Sequence, residues 1–248
     1  MERELRVAQR VQRTLVLLSG VEAPGWELAN DYRPARQIGG DFFDVFPLID
    51  PARPRHLGVV IADVSGKGIA AALLMAFARS LIRSALDRSG DPVTALERTN
   101  HILVEERRTG LFVTVLCGVL DLDTGLFTFA NAGHEPPLLA SPSSADPIWV
   151  EGGGPLVGLF DHLNLAEQRL EIGPGERLVL FTDGITDAAS PSGERFGYDR
   201  LRRVIAESCR TGGAVDTCRA VIQGVLAFQA DAQPADDLAL LVLRRLPD

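Results

Sequence analysis

An α+β sandwich, with antiparallel β-sheets covered by helices, is the fold class this sequence predicts. Three observations lead there. Short apolar runs rich in Val and Ile recur along the chain and come in groups. Pairs of helical segments separate those groups, whereas a doubly wound fold would alternate strand and helix one for one. The 248 residues show no internal repeat or long linker, and 46% hydrophobic with 23% charged residues suits a globular chain with a sizeable core.

The first element expected is an amphipathic helix over residues 2 to about 18. Ala8, Val11, Leu15 and Leu18 form a seam spaced three, four and three apart, with Arg3, Arg6, Arg10 and Arg13 on other faces. Such a seam suits either a helix packed on its own domain or a dimerisation or signal-relay helix, and two heptads leave both open. Gly20 and Pro24-Gly25 end it, so residues 1–20 are expected to be a linker or regulatory helix and 21–248 the functional domain.

Strands are expected at Trp26 to Pro34 and Phe42 to Leu48, flanking Gly39-Gly40-Asp41. After a turn at Pro51 to Pro54, Leu57 to Ala62 reads as a buried strand that stops at Asp63 and a glycine turn. A helix follows from Ile69 to Leu86. Arg79 and Arg83 within it favour a core helix over a membrane span. Asp91-Pro92 caps another helix that runs to about Arg108.

Val113 to Leu120 and Leu126 to Ala130 form a hairpin around Asp121-Leu122-Asp123-Thr124-Gly125, and Leu165 to Ile172 alternates modestly. Residues 141–147 are expected to be a mobile surface loop. Arg177 to Phe181 is a second buried strand, ending at Thr182-Asp183-Gly184. Helices fit Tyr198 to Ser208 and Ala214 to Phe228. Asp236-Asp237 then leads into a third buried strand, Leu238 to Leu243.

Bulk chemistry narrows the function. Lys plus Arg is 25 and Asp plus Glu is 33, a net charge of −8. That argues against a general nucleic-acid or anionic-membrane binder and, without a basic-aromatic track, against a nuclease. Cys117, Cys209 and Cys218 are odd in number with no CxxC, which suits reduced thiols. Met1 opens onto charged residues without a secretory signal, so a cytoplasmic protein is expected.

The signal for chemistry is acidic residues at strand ends: Asp41 with Asp44, Asp63, Asp183, and Asp236 with Asp237. Any one Asp-Gly pair is ordinary turn chemistry. Four sites abutting apolar strands point instead to hard cations such as Mg²⁺ or Mn²⁺, which take carboxylate, carbonyl and water oxygens. Rival motifs fail. Ser65-Gly66-Lys67-Gly68 lacks the Walker glycine five residues before Gly66, where Ile61 stands. Asp123-Thr124-Gly125 is a single copy in a polar hairpin turn, and no Cys-x₅-Arg cradle is present. His56, His101 and His162 lack ligand spacing, and His134 is expected to be a hydrogen-bonded structural residue.

Five motifs stand in one order: Gly39-Gly40-Asp41-Phe42-Phe43-Asp44, Asp63-Val64-Ser65-Gly66-Lys67-Gly68, Ala132-Gly133-His134-Glu135-Pro136, Thr182-Asp183-Gly184-Ile185-Thr186-Asp187 and Asp236-Asp237. In this the chain resembles the SpoIIE/RsbU-type phosphatases, the bacterial branch of the metal-dependent (type 2C, PPM) protein serine/threonine phosphatases, over about residues 2 to 246. The resemblance implies a four-layer α-β-β-α sandwich and two Mn²⁺ or Mg²⁺ ions. Asp63 would bridge them with the Val64 carbonyl on one, Asp41 would serve one ion, and Asp183 with Asp236 the other. Asp237 is an alternative to Asp236, and Asp44 would support Asp41. Arg36 is the candidate phosphate-gripping cation.

The family usually has His or a similar residue at Lys67 and Thr or Ser at Ala239, so both positions depart from its pattern. The substrate implied is phosphoserine or phosphothreonine on a STAS-domain anti-sigma-factor antagonist. An upstream sensor module and a homodimer through the first helix are further expectations. A catalytically silent module that keeps the fold and reads a partner is the alternative.

Overall fold

The structure, a computed structural model, describes residues 2–16, 20–49, 55–105, 110–144 and 146–247. Leu18, the Pro51 to Pro54 turn, the expected helix end near Arg108 and Ala145 lie outside them. In chain order the elements are α1 (Glu2–Val16), β1 (Trp26–Arg33), β2 (Phe42–Pro47), β3 (His56–Val64), α2 (Ile69–Ser89), α3 (Pro92–Glu105), β4 (Val113–Asp121) and β5 (Leu126–Ala132). There follow β6 (Leu138–Ala140), β7 (Ile148–Trp149), β8 (Gln168–Glu171), β9 (Arg177–Phe181), α4 (Asp183–Thr186), α5 (Gly197–Cys209), α6 (Ala214–Gln229) and β10 (Leu238–Arg245). Two five-stranded antiparallel sheets with helices bear out the α+β expectation.

The chain forms two compact units. The first comprises Met1–Glu22, Arg36–His134 and Gly152–Glu171. Its sheet has the order β2-β3-β4-β5-β8. β3 and β4 lie inside it and are buried along most of their length, which is why they read as continuous apolar runs rather than alternating ones. α2 is long and apolar enough to cross a membrane by length and composition. Its buried residues, Ala71, Met75, Ala78, Ile82, Ala85 and Leu86, fall on one face at helical spacing, the stripe of a helix packed on one side. Gly90, left-handed at φ 61°, ends it by donating to the Leu86 carbonyl.

The second unit comprises Ala23–Ala35, Glu135–Glu151 and Ile172–Asp248. Its sheet has the order β1-β10-β9-β6-β7. α5 and α6 cover it through Leu201, Ile205, Val221, Ile222 and Val225, which meet Val179, Phe181, Leu240 and Val242 in one apolar cluster. Arg177 at the start of β9 is fully buried and ties the two helices together. Its guanidinium donates to the carbonyls of Cys209, Gly212 and Gly213 and to the Thr217 hydroxyl. The 141–147 stretch connects β6 to β7, and its Asp146 accepts from Arg202 of α5 at 2.6 Å.

α1 leaves Ala8 and Val11 exposed and buries Gln12 and Val16, which is compatible with either use of its seam. Two expectations need correction. β6 and β7 were not expected as strands, and Thr182-Asp183-Gly184 opens a one-turn helix rather than a plain turn. Asp44 is held by α2. It lies on the α2 side of β2, where Arg79 approaches at 2.9 Å and Arg83 at 3.2 Å.

Candidate metal-binding site

In the first unit β3 carries the chain to Asp63 and Val64 before the turn. The antiparallel register pairs Phe42 with Ala62, so one step further sets Asp41 across from Asp63. Asp41 is buried and Asp63 half-buried. Gly40 packs against the Val64 carbonyl so closely that a Cβ there would sit 2.9 Å from its oxygen. The residue before Asp41 must therefore be glycine for the loop to lie on the strand end.

Several side chains missed by the sequence reading hold this corner. Ser65 exchanges two bonds with Phe112: its amide donates to the Phe112 carbonyl at 2.9 Å and its Oγ accepts from the Phe112 amide at 2.8 Å. Thr114, opposite Asp63 in the register, lies 3.1 Å from His134 Nδ1 through its hydroxyl. His134 is itself fixed by Asn131, which accepts from its amide and donates to its carbonyl. It is the hydrogen-bonded histidine expected. Lys67 and Arg36 are exposed.

In the second unit Asp183 begins α4 directly after β9. Gly184 abuts the Asp237 carbonyl, where a Cβ would come within 1.9 Å of the oxygen, so the two acidic motifs share one sheet end. Thr182 locks them: its amide donates to the Ala239 carbonyl at 3.1 Å and its hydroxyl accepts from the Ala239 amide at 3.0 Å. The hydroxyl absent at Ala239 thus has a counterpart on the neighbouring strand. Asp237 is buried and accepts from the Ala35 amide at 2.8 Å, whereas Asp236 is more open.

The same unit holds Glu135, half-buried, which accepts from the Tyr198 hydroxyl at 2.6 Å. Burial pushes the Glu135 carboxyl above the usual glutamate range, with Asp187 adding to the rise and Tyr198 opposing it. In the first unit burial likewise raises Asp44, against the pull of Arg79 and Arg83. Cys117, Cys209 and Cys218 are buried free thiols, with burial pushing Cys218 up to about 12.

The donors present are carboxylates and backbone carbonyls, a hard-oxygen set suited to Mg²⁺ or Mn²⁺ and poor for zinc. Among the described residues no three His, Cys, Asp or Glu side chains are gathered closely enough to hold an ion by themselves. Each unit carries its own acidic pair at a strand end, with glycine and hydrogen bonds fixing the backbone beside it.

The family model for Stage II sporulation protein E (SpoIIE) matches residues 53–246. Protein IcfG of Synechocystis sp. (strain ATCC 27184 / PCC 6803 / Kazusa) is 32% identical over 229 residues, which are 82% of this chain and 35% of that protein. Phosphoserine phosphatase RsbU of Bacillus subtilis (strain 168) is 26% identical over 242 residues, 98% of this chain and 70% of that one. The chain thus spans about a third of the length of the first relative. Among solved structures, the SiaA-PP2C domain of Pseudomonas aeruginosa superposes with a TM-score of 0.83 at 21% identity, over 98% of this chain and 96% of that one. The family model runs from β3 through β10 and includes Asp63, Asp183 and Asp236, and the chain belongs to the Stage II sporulation protein E (SpoIIE) family.

Proposed function

We propose that this chain is a metal-dependent protein serine/threonine phosphatase that hydrolyses phosphoserine or phosphothreonine on a partner protein. The observation that carries the reading is the register that sets Asp41 across from Asp63, with Gly40 pressed on the Val64 carbonyl. In this reading Asp41, Asp63 and the Val64 carbonyl would hold metal from the first unit, and Asp183 and Asp236 from the second. Asp236 is preferred to Asp237 because it is the more open of the two; each already accepts one backbone amide, that of Asp237 and that of Ala35 respectively. Two Mn²⁺ or Mg²⁺ ions bound there would lower the pKa of a water for in-line attack on phosphorus and offset the phosphate charge.

The protein's own part is to hold these oxygens in place before substrate arrives. Thr182 does so for the Asp183 turn and Ser65 for the Asp63 turn, through the bonds to Ala239 and Phe112. Arg36, exposed beside the Asp41 loop, is the candidate grip on the phosphate. RsbU carries phosphoserine phosphatase in its name, which supports a phosphoprotein substrate. A STAS-domain anti-sigma-factor antagonist, an upstream sensor module and a homodimer through α1 complete the proposal.

The test is metal-dependent release of phosphate from a phosphoserine peptide and an aryl phosphate. Asp63→Asn and Asp183→Asn are each expected to lower turnover by a factor of about 100 or more, comparable to loss of one essential electrostatic group. Near-parental turnover in both folded variants would overturn the reading. An absence of metal-stimulated release from the parent chain would favour a silent binding module instead.

A further inference from the structure

Gly39 lies two residues before Asp41, and its backbone is buried. Its amide and carbonyl belong to no strand ladder, because β2 begins at Phe42. Buried backbone groups need partners, and Gln12 of α1 provides both. Its Nε2 donates to the Gly39 carbonyl at 2.6 Å, and its Oε1 accepts from the Gly39 amide at 3.1 Å. Gln12 is only 5% exposed, while its neighbour Val11 is 56% exposed.

The pairing is specific to the chemistry of a primary amide, which presents one donor and one acceptor side by side. Glutamate offers acceptors alone, and methionine offers a similar length with no donor. The next residue, Gly40, has the Val64 carbonyl against it. The backbone leading into Asp41 is therefore held by a helix side chain at Gly39 and by the end of β3 at Gly40. Gln12 lies 27 residues away in sequence from the glycine it grips.

We propose that Gln12 is a positioning residue, through which α1 sets the Asp41 loop for cation binding. The inference rests on reading Asp41 as a metal ligand. It assigns Gln12 no contact with substrate: its effect passes through the orientation of the loop. Detaching the amide pair leaves the carboxylate present and lets the backbone that carries it move.

The experiment uses the full chain with Gln12→Met and Gln12→Glu, read by calorimetric Mn²⁺ titration and by amide hydrogen exchange. Both variants are expected to weaken Mn²⁺ binding at least five-fold and to speed exchange over residues 39–42 at least ten-fold. Exchange in β9 and β10 stays as in the parent, and raising Mn²⁺ to saturation returns turnover to within two-fold. Gln12→Met added to Asp41→Asn produces no further loss of Mn²⁺ affinity, because the two act on one site. Unchanged affinity in both Gln12 variants, where Asp41→Asn weakens binding measurably, overturns the inference and leaves the proposed activity standing. Exchange that accelerates evenly across the first unit assigns Gln12 to general stability and also overturns it. If Asp41→Asn binds Mn²⁺ like the parent, the metal assignment fails and the inference with it.

Discussion

Gly184 has no room for a side chain, since a Cβ would lie 1.9 Å from the backbone oxygen of Asp237. That oxygen belongs to the chain entering β10 and cannot swing aside as a side-chain tip would. Gly184→Ala is expected to destabilise the protein by about 3 kcal/mol, the upper range for overpacking, and to lower metal-dependent turnover by displacing Asp183 from Asp237. Urea unfolding with parallel phosphate release checks both, and a variant within about 0.5 kcal/mol of the parent contradicts the packing argument. At this scale the acidic residues were legible because each interrupts or borders an apolar run. Their directions were not. β2 is buried from Phe42 to Phe46, so no polar alternation revealed that Asp44 faces Arg79 and Arg83. Gln12 was hidden for the opposite reason: a polar residue on an amphipathic helix reads as solvent-facing, and its pairing with Gly39 exists only in the folded chain.

Helix α6 shows how the elements are tied to one another. Glu27 of β1 accepts from the Ala214 amide at the helix start at 3.0 Å and from Arg244 of β10 at 2.9 Å. The Ala214 amide first, and then Arg244, hold the Glu27 carboxyl below its usual range. A carboxyl depressed in the folded state stabilises above its unfolded pKa, and that contribution is lost as pH falls through the folded one. Glu27→Gln is therefore expected to narrow the stability gap between neutral and acid pH, measured by urea unfolding from neutral pH to below the ordinary glutamate range. An unchanged acid limb would remove Glu27 from the account. The element scale was also where the sequence was most readable: β9 and the start of α6 fall where the apolar patterns place them. β6 and β7, with three and two residues, are too short for any periodicity to register. Only their pairing with β9 and with each other makes them strands.

For the molecule as a whole, a cation that binds only the folded chain must stabilise it by mass action. At a hundred times its dissociation constant Mn²⁺ would add about 2.7 kcal/mol, or roughly 5–10 °C in Tm for a chain of this size. Chelation is expected to reverse the shift and Asp63→Asn to abolish it, both read by calorimetry; an equal shift in Asp63→Asn would place the ion elsewhere. The second unit also has a consequence for the order of events at the ribosome. Its sheet pairs Trp26 with Arg245 and Arg33 with Leu238, so β1 leaves the exit tunnel long before the partner it needs. β10 then lies between β1 and β9, and no hairpin can stand in for it. Loop closure across most of the chain makes this a late, slow step. Until it occurs, a nascent chain displays the Asp41 and Asp63 strands, already local neighbours, while Asp183 waits without the Asp237 backbone beside it. Assembly of the second acidic pair is thereby coupled to the emergence of β10.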